Sequence, residues 1–253
     1  MRVLAAIAVV LLAGNAYARP SRPRFEPTDL ELEVPGTLNL DLQVGYIDST
    51  PTSRLVVPDF EVDLGITRRF ELDLDGTFAI DSSTSHTFQP DNLWLSDKVG
   101  VLDVVLPSKL TVAAGFQVGP RFGVSPGSRG FGGEGLLLLG LTYRRVQVTL
   151  NAGGYWDPSR LQNDGTRPRP RGLQLGGSVD VDLTHDGRWS FHVEVGGTVA
   201  LAVDPSQVVV AAGTVLSPSK ALDVSLLGLV GLLPGSDRAG ALFGASPRVA
   251  LWR

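Results

Sequence analysis

Residues 70–78 read FELDLDGTF, and the alternation in this stretch decides the fold class. Apolar and polar residues alternate along this stretch. The apolar set is Phe70, Leu72, Leu74 and Phe78, and the polar set is Glu71, Asp73, Asp75 and Thr77. Successive side chains of a β-strand point to opposite faces of the sheet, so the two sets lie on opposite faces. The stretch therefore predicts a strand with one apolar and one acidic face.

The same period of two continues outward in both directions from this stretch. In residues 59–66, Phe60, Val62 and Leu64 fall on one face of the predicted strand. Asp59, Glu61 and Asp63 fall on the other face. Twelve such segments are predicted, at residues 37–46, 55–66, 69–81, 92–104, 109–122, 130–143, 146–156, 172–183, 188–202, 207–216, 220–232 and 238–252. Strands of soluble sheets usually have about five or six residues, whereas a tilted strand that crosses a bilayer needs about nine to eleven. The lengths favour membrane-spanning strands.

The connections between the segments alternate in length. Those after the even-numbered segments are tight, as at residues 67–68, 144–145 and 217–219, and most of those after odd-numbered segments are longer. Outer-membrane barrels have short periplasmic turns and longer outer loops. We therefore predict an all-β, antiparallel up-and-down transmembrane barrel of about twelve strands. The even count places both termini of the barrel on the periplasmic side.

Composition excludes several other classes of protein. No stretch approaches the roughly 18–20 unbroken apolar residues of a membrane-spanning helix. The 30 Gly and 17 Pro argue against a helical bundle, and the absence of Cys excludes disulfide scaffolds and thiolate metal sites. The net charge of −4 argues against nucleic-acid binding, which needs a basic footprint.

The N-terminus carries a targeting signal. One positive charge at Arg2 precedes an apolar run over residues 3–14, and residues 16–18 (AYA) fit the small-x-small cleavage rule. We predict a signal peptide at 1–18, a periplasmic leader or linker at 19–36, and the barrel at 37–253. The expected location is the bacterial outer membrane after signal cleavage. The expected partners are outer-membrane lipid, the barrel-assembly machinery and a small solute.

Aromatic residues fall near the strand ends, as expected of the two interfacial girdles of a membrane barrel. The predicted girdle residues are Tyr46, Phe70, Phe78, Tyr143, Trp156, Trp189 and Trp252. The alternative is the aromatic core of a soluble β-sandwich. A sandwich would place its aromatic residues centrally along the strands and not at their ends.

If the apolar faces meet lipid, the polar faces line the lumen. The predicted lumen residues are Asp41, Glu61, Asp63, Glu71, Asp73, Asp75, Lys98, Arg121, His192 and Glu194. We expect Glu71, Asp73 and Asp75 to form a charge ladder, with Lys98 and Arg121 as counter-charges. This predicts a wet, acid-lined passage that favours cations or neutral polar solutes. The alternative is a solvated wall without a selective role.

Apolar residues interrupt this lining. Leu136, Leu138, Leu227 and Leu229 share the parity of the inward-facing residues. They would either meet a hydrophobic solute or pack against a folded-in loop or the leader at 19–36.

Catalytic and metal-binding motifs are weak. The three His lack metal-ligand spacing, and residues 123–127 (GVSPG) match a nucleophile elbow only in letters, because Pro126 lacks the N–H that an oxyanion hole would use. We predict no enzyme activity, no metal and no cofactor. A lipid-active barrel enzyme that uses His192 is the less favoured alternative.

The pattern as a whole resembles bacterial outer-membrane barrels of the phenol-degradation-pathway transporter type. Residues 59–75 (DFEVDLGITRRFELDLD), 91–102 (DNLWLSDKVGVL) and 249–253 (VALWR) carry the resemblance. It implies an outer-membrane barrel that passes small apolar or aromatic compounds without a cofactor. Trp252 is followed by Arg253, whereas assembly signals of such barrels usually finish in an aromatic residue. Because Trp252 shares the parity of Arg248, we also predict a bulge at Pro247.

These observations together predict a channel or transporter for the passive passage of small solutes, with apolar or aromatic compounds among the candidates. A structural or surface-interaction barrel with a plugged lumen is the main alternative.

Overall fold

The computed structural model describes residues 32–49, 53–82, 88–90, 93–124, 127–161, 165–202 and 205–252. The predicted signal peptide at 1–18 and the leader residues 19–31 lie outside the described residues, as do Ser125, Pro126 and Arg253. No helix in the described ranges is long and apolar enough to span a bilayer.

Twelve long strands form the barrel, and each pairs antiparallel with its neighbours in the chain. They are β1 (Thr37–Asp48), β2 (Arg54–Thr67), β3 (Phe70–Asp81), β4 (Leu93–Val105), β5 (Leu110–Phe122), β6 (Phe131–Tyr143), β7 (Val146–Trp156), β8 (Arg171–Asp182), β9 (Trp189–Ala202), β10 (Gln207–Ser219), β11 (Leu222–Gly231) and β12 (Ala239–Ala250). Pairing of β1 with β12 closes the sheet. The predicted all-β, antiparallel fold of twelve strands is confirmed.

The two ends of the barrel differ. Five short turns and both ends of the barrel sequence, Thr37 and Ala250, lie at one end, which we call the short-turn end. The other is the long-loop end. There, Phe88–Pro90 pairs with β3, and Ser159–Arg160 pairs with Ser128–Arg129 in a small separate sheet.

Two proline positions differ from expectation. The turn predicted at 217–219 was wrong, because β10 runs to Ser219 and the chain reverses at 220–221. The β10–β11 register shifts between Leu216 and Ser219, so Pro218 lies at an irregularity that tolerates its missing N–H. The predicted bulge at Pro247 was also wrong, since β12 keeps one register with β1 on both sides of that residue, and Pro247 itself pairs in register with Leu222 of β11. Trp252 follows the end of β12, so its parity does not constrain the strand.

Aromatic rings cover part of the outer wall near the long-loop end. The Phe78 ring stacks on Phe60 at 5.5 Å and on Phe88 at 5.4 Å between ring centroids. Gly76 makes this packing possible, because a Cβ there would lie 2.9 Å from Cζ of Phe60 and 2.4 Å from Cδ2 of Leu93. The glycine therefore leaves space for a ring that packs across the strand.

Candidate functional site: the barrel interior

The inner face of the barrel is lined with buried polar side chains. The predicted lumen residues Asp41, Glu61, Asp63, Glu71, Asp73, Lys98, His192 and Glu194 are all buried, while Asp75 and Arg121 are partly buried. Large apolar side chains alternate with them and are exposed, as for Leu137, Leu226 and Phe243. A single closed sheet has only two faces, so the buried polar set points inward and the exposed apolar set outward.

Lys98 lies beside two of the inward-facing acidic residues. The registers of β2, β3 and β4 place Glu71 opposite Lys98, and Asp73 opposite both Asp63 and Ser96. The Lys98 ammonium nitrogen is 2.8 Å from Oε1 of Glu71 and 3.9 Å from Oδ2 of Asp73. All three side chains are 0% exposed, so water does not reach this ion pair. We call Asp41, Glu61, Asp63, Glu71 and Asp73 the acidic cluster.

The side-chain amides of Asn39 and Gln117 donate hydrogen bonds to the acidic cluster. Asn39 Nδ2 donates to Oδ2 of Asp41 at 3.1 Å and to Oδ2 of Asp63 at 2.9 Å. Gln117 Nε2 donates to Asp73 at 2.9 Å and to the Ser96 hydroxyl at 2.7 Å. Asn39 and Gln117 were missing from the predicted site, although both share the inward parity of their strands. Amide donors satisfy carboxylate lone pairs without adding positive charge.

The acidic cluster also has the composition of a hard-cation site. Ligand atoms of Asp41, Glu61 and Asp63, and of Asp63, Glu71 and Asp73, lie within 4.8 Å of one another. Carboxylate oxygens are the ligands that calcium and magnesium prefer. Lys98 already places its ammonium against the second of these groups.

Arg248 and its two carboxylate partners lie at the short-turn mouth. Arg248 pairs with Asp223 at 3.1 Å and with Glu33 at 3.3 Å, and the backbone N–H of Glu33 donates to Glu71. Burial raises the pKa of Glu33 from 4.5 to about 7. The nearby Glu71 and Asp63 carboxylates also raise it, and Arg248 opposes them. Glu33 belongs to the predicted leader, and it was not among the predicted site residues, although residues 30–34 (LELEV) alternate apolar and acidic residues.

Arg121 lies near the long-loop end. It pairs with Glu134 at 2.5 Å and with Asp157 at 3.1 Å, and its guanidinium lies 5.7 Å from the Tyr155 ring centroid. Tyr155 and Asp157 were absent from the predicted site residues. These contacts fix Arg121 at the opposite end of the lumen from Glu71.

His192 is held between two carboxylates on the far wall. Its Nδ1 lies 2.7 Å from Oδ1 of Asp180, and its Nε2 lies 3.1 Å from Oε2 of Glu194. Both ring nitrogens are therefore engaged, and neither is positioned to activate a serine. The ring is 3% exposed and faces the interior, away from lipid. This geometry ties β8 to β9 and gives no support to a lipid-active enzyme.

Two apolar patches also line the interior among the residues that the structure describes. The larger one lies in the long-loop half and comprises Ile47, Val56, Val209, Ala211, Leu227, Leu229 and Leu242. The smaller comprises Trp94, Leu136 and Leu138, with Ala113 packed against it. The lumen thus has an apolar patch toward the long loops and the acidic cluster toward the short turns.

The predicted girdle residues lie near both ends of the wall. Tyr46, Phe78 and Trp156 are close to the long-loop end, while Phe70, Tyr143, Trp189 and Trp252 are close to the short-turn end. Five of them, Tyr46, Tyr143, Trp156, Trp189 and Trp252, are about half exposed. The Trp156 ring lies over Gly133, where a Cβ would come within 2.4 Å of Cζ2.

Comparison with known proteins identifies the fold. No protein family and no curated protein matches the chain in sequence. Among solved structures, it is similar to an outer membrane channel from Pseudomonas putida F1, with 13% identity, a TM-score of 0.62, and 89% of this chain and 100% of that chain covered.

Two porins are similar to a comparable degree. The NanC porin is 10% identical with a TM-score of 0.59, covering 83% of this chain and 100% of that one. The KdgM porin is 8% identical with a TM-score of 0.55, covering 83% and 98%. At these identities the likeness concerns the fold, which is that of outer-membrane β-barrels.

Proposed function

We propose that the protein is an outer-membrane channel for the passive passage of small solutes. The observation that carries this proposal is the arrangement of the wall, with charged residues inside and apolar residues outside. A soluble β-protein has its apolar side chains inside, whereas a membrane barrel exposes an apolar band to lipid around a polar interior. The fold shared with known outer-membrane channels supports the same role.

The interior favours solutes with an apolar body and a positive or neutral polar group. The apolar patch around Leu227 and Leu229 lies in the long-loop half, and the acidic cluster lies beyond it toward the short turns. Charged walls raise the local concentration of the opposite charge and exclude like charge. We therefore propose passage of small apolar or aromatic solutes, with cations preferred over anions. The resemblance of residues 59–75 to phenol-degradation-pathway transporters supports the aromatic part of this proposal.

One observation favours a second candidate, a barrel whose lumen is plugged. Lys98, Glu71, Asp73 and Gln117 are fully buried, although they face the interior of a twelve-stranded barrel. Twelve strands enclose more space than the eight-stranded barrels that side chains alone fill. In the channel account, these side chains belong to a constriction of the lumen.

Flux of matched solutes into proteoliposomes tests the proposal. Benzyltrimethylammonium and benzenesulfonate share an aromatic body, carry permanent charges of opposite sign, and cross bare bilayers poorly. We expect the protein to pass the cation faster than the anion. The Asp63→Asn/Asp73→Asn variant, which keeps side-chain volume, is expected to reduce that preference. Flux equal to that of protein-free liposomes for both solutes would contradict the channel, and faster anion flux would contradict the proposed solute class.

A further inference from the structure

The loops that follow β5 and β7 are joined to each other at the long-loop end. Ser159–Arg160 of the second loop pairs with Ser128–Arg129 of the first in the small separate sheet. The N–H of Leu161 also donates to the Gly127 carbonyl at 3.2 Å. These backbone contacts fix the side chains of the two loops relative to one another, although the loops are distant in sequence.

Exposed arginine side chains gather on this pair of loops and at the start of β8. They are Arg129, Arg167, Arg169 and Arg171, which we call the arginine surface. Nη1 of Arg167 donates to the Gly127 carbonyl at 3.3 Å. Nη1 of Arg169 donates to the Phe131 carbonyl at 3.2 Å. Two guanidinium groups of the second loop are thus held against the first loop, at positions that flank Arg129 in sequence. A guanidinium has several N–H donors, so a bond to one carbonyl leaves others for a ligand.

The described parts of these two loops place no carboxylate beside the arginine surface. Residues 123–124 and 127–130 contain no acidic residue. In the described part of the second loop, the carboxylate is that of Asp157, which is buried and pairs with Arg121 of the barrel interior at 3.1 Å. A surface with charge of one sign raises the local concentration of the opposite charge. The arginine surface is therefore suited to bind anions.

The arginine surface borders the aromatic residues of the outer wall. Arg171 pairs opposite Trp156, and Phe131 pairs opposite Phe122. Directly opposite residues of antiparallel strands lie on the same face of the sheet, so Arg171 shares the outer face with Trp156. The Phe131 side chain is 66% exposed, and its own carbonyl accepts the bond from Arg169. Guanidinium groups and exposed aromatic rings therefore lie together at the rim of the outer wall.

We propose that the arginine surface binds the phosphate groups of a lipid of the outer leaflet, while Phe131 and Trp156 contact the acyl chains of that lipid. The ligand is an amphiphile whose headgroup carries phosphate monoesters. A guanidinium stays charged and binds phosphate oxygens in a bidentate, planar geometry. Aromatic rings of membrane proteins lie at the level of the headgroups, and basic residues at that level attract anionic headgroups.

A lipid explains more of this surface than a soluble anion does. A soluble phosphate would contact the arginine side chains but would leave the adjacent aromatic rings unused, whereas a phosphorylated lipid contacts both. The short turns of outer-membrane barrels are periplasmic, so the long-loop end meets the outer leaflet. The site lies on the outer wall and outside the lumen, and the inference therefore goes beyond the proposed function.

Binding of a phosphorylated lipid to the refolded chain without its predicted signal peptide tests the inference. The protein is held in neutral detergent micelles and titrated with diphosphoryl lipid A, and bound lipid is counted by native mass spectrometry. Arg169→Gln/Arg171→Gln removes two charges of the arginine surface. Arg144→Gln/Arg145→Gln is the matched control, because it removes two exposed charges at the short-turn end, where Arg144 lies 5.1 Å from the Tyr143 ring centroid. Urea unfolding checks that each variant is folded.

We expect Arg169→Gln/Arg171→Gln to weaken lipid binding by about fivefold for each arginine removed, and the control to bind as the wild type does. Arg169→Lys/Arg171→Lys keeps both charges and should bind more tightly than the glutamine variant. Absence of binding to the wild type, or equal weakening by the long-loop variant and the control, would overturn the inference. A lysine variant that binds as weakly as the glutamine variant would overturn the charge mechanism.

Two further measurements identify the source of the phosphate. Phe131→Ala should weaken binding of the lipid, because it removes an exposed ring beside the arginine surface, and unchanged binding would overturn the contact with acyl chains. Inorganic phosphate in millimolar excess should leave the lipid bound. Complete release of the lipid would assign the arginine surface to soluble phosphate and overturn the lipid site. Because these measurements do not use conductance, a barrel that binds the lipid without conducting would support this site and contradict the channel.

Discussion

Replacement of Lys98 by methionine removes the positive charge beside Glu71 and Asp73 while keeping an unbranched side chain. Glu71 lies 2.8 Å from the ammonium nitrogen and Asp73 lies 3.9 Å from it, and all three side chains are 0% exposed. Because water does not reach the pair, solvent cannot replace the lost ammonium. Lys98→Met therefore leaves two carboxylates close together in the barrel interior.

The distances set the size of the effect. At an effective dielectric constant of about 20, unit charges at these separations attract by about 6 and about 4 kcal/mol. The cost of desolvating Lys98 offsets much of this attraction. Removing one partner of a buried ion pair typically costs about 3–5 kcal/mol. We expect Lys98→Met to lower the free energy of unfolding by that amount.

Urea unfolding of the refolded barrel, followed by tryptophan fluorescence, measures this change. The double variant Lys98→Met/Glu71→Gln removes one charge of each sign, so it should be more stable than Lys98→Met alone despite carrying an additional substitution. A Lys98→Met protein within about 0.5 kcal/mol of wild type would refute the reasoning, because it would mean that the ion pair is solvated.

Three further perturbations follow from the structure. Because the pKa of Glu33 is raised from 4.5 to about 7, docking of its segment is strongest below pH 4.5 and weakens as pH rises through 7. In urea unfolding, the free energy of unfolding of the wild type should therefore equal that of Glu33→Gln at low pH and be up to about 3 kcal/mol lower above pH 7. A wild type that is more stable than Glu33→Gln above pH 7 would contradict this. His192→Ala should lower unfolding stability by about 3 kcal/mol, because Asp180 and Glu194 lose their shared partner, and it should leave vesicle phospholipid intact. Gly76→Ala should cost about 1–3 kcal/mol by crowding the neighbouring aromatic ring, whereas Gly228→Ala, with its nearest atom at 3.9 Å, should stay within about 0.5 kcal/mol; equal effects would contradict the packing argument.

The fold could be predicted from sequence because each strand carries the same local signal. Alternation such as that of Glu71, Leu72 and Asp73 determines which side chains face inward, and closure of the sheet brings distant strands into one wall. The predicted strand ends differ from the observed ones by at most three residues, and both ends of β7 coincide with the prediction. Pro218 and Pro247 were both predicted to disrupt their strands more than they do, since whether a proline disrupts a strand depends on the pairing of its N–H side.

The pairing of interior charges could not be predicted from parity alone. Parity places Lys98 and Arg121 inside, but the position along each strand and the cross-strand register decide their partners. Lys98 lies opposite Glu71, while Arg121 lies opposite Trp94 and pairs with Asp157, a residue beyond the end of β7. Glu33 lies outside the strands altogether, so its contact with Arg248 depends on the path of the leader.

The most direct test of the channel is the reversal potential of single openings in a planar bilayer under a KCl gradient. We predict discrete openings in the wild-type chain, with a reversal potential of the sign for potassium over chloride. The Asp63→Asn/Asp73→Asn variant should shift that potential toward zero. A folded barrel that shows no openings in any of these chains, or openings selective for chloride, would contradict the account.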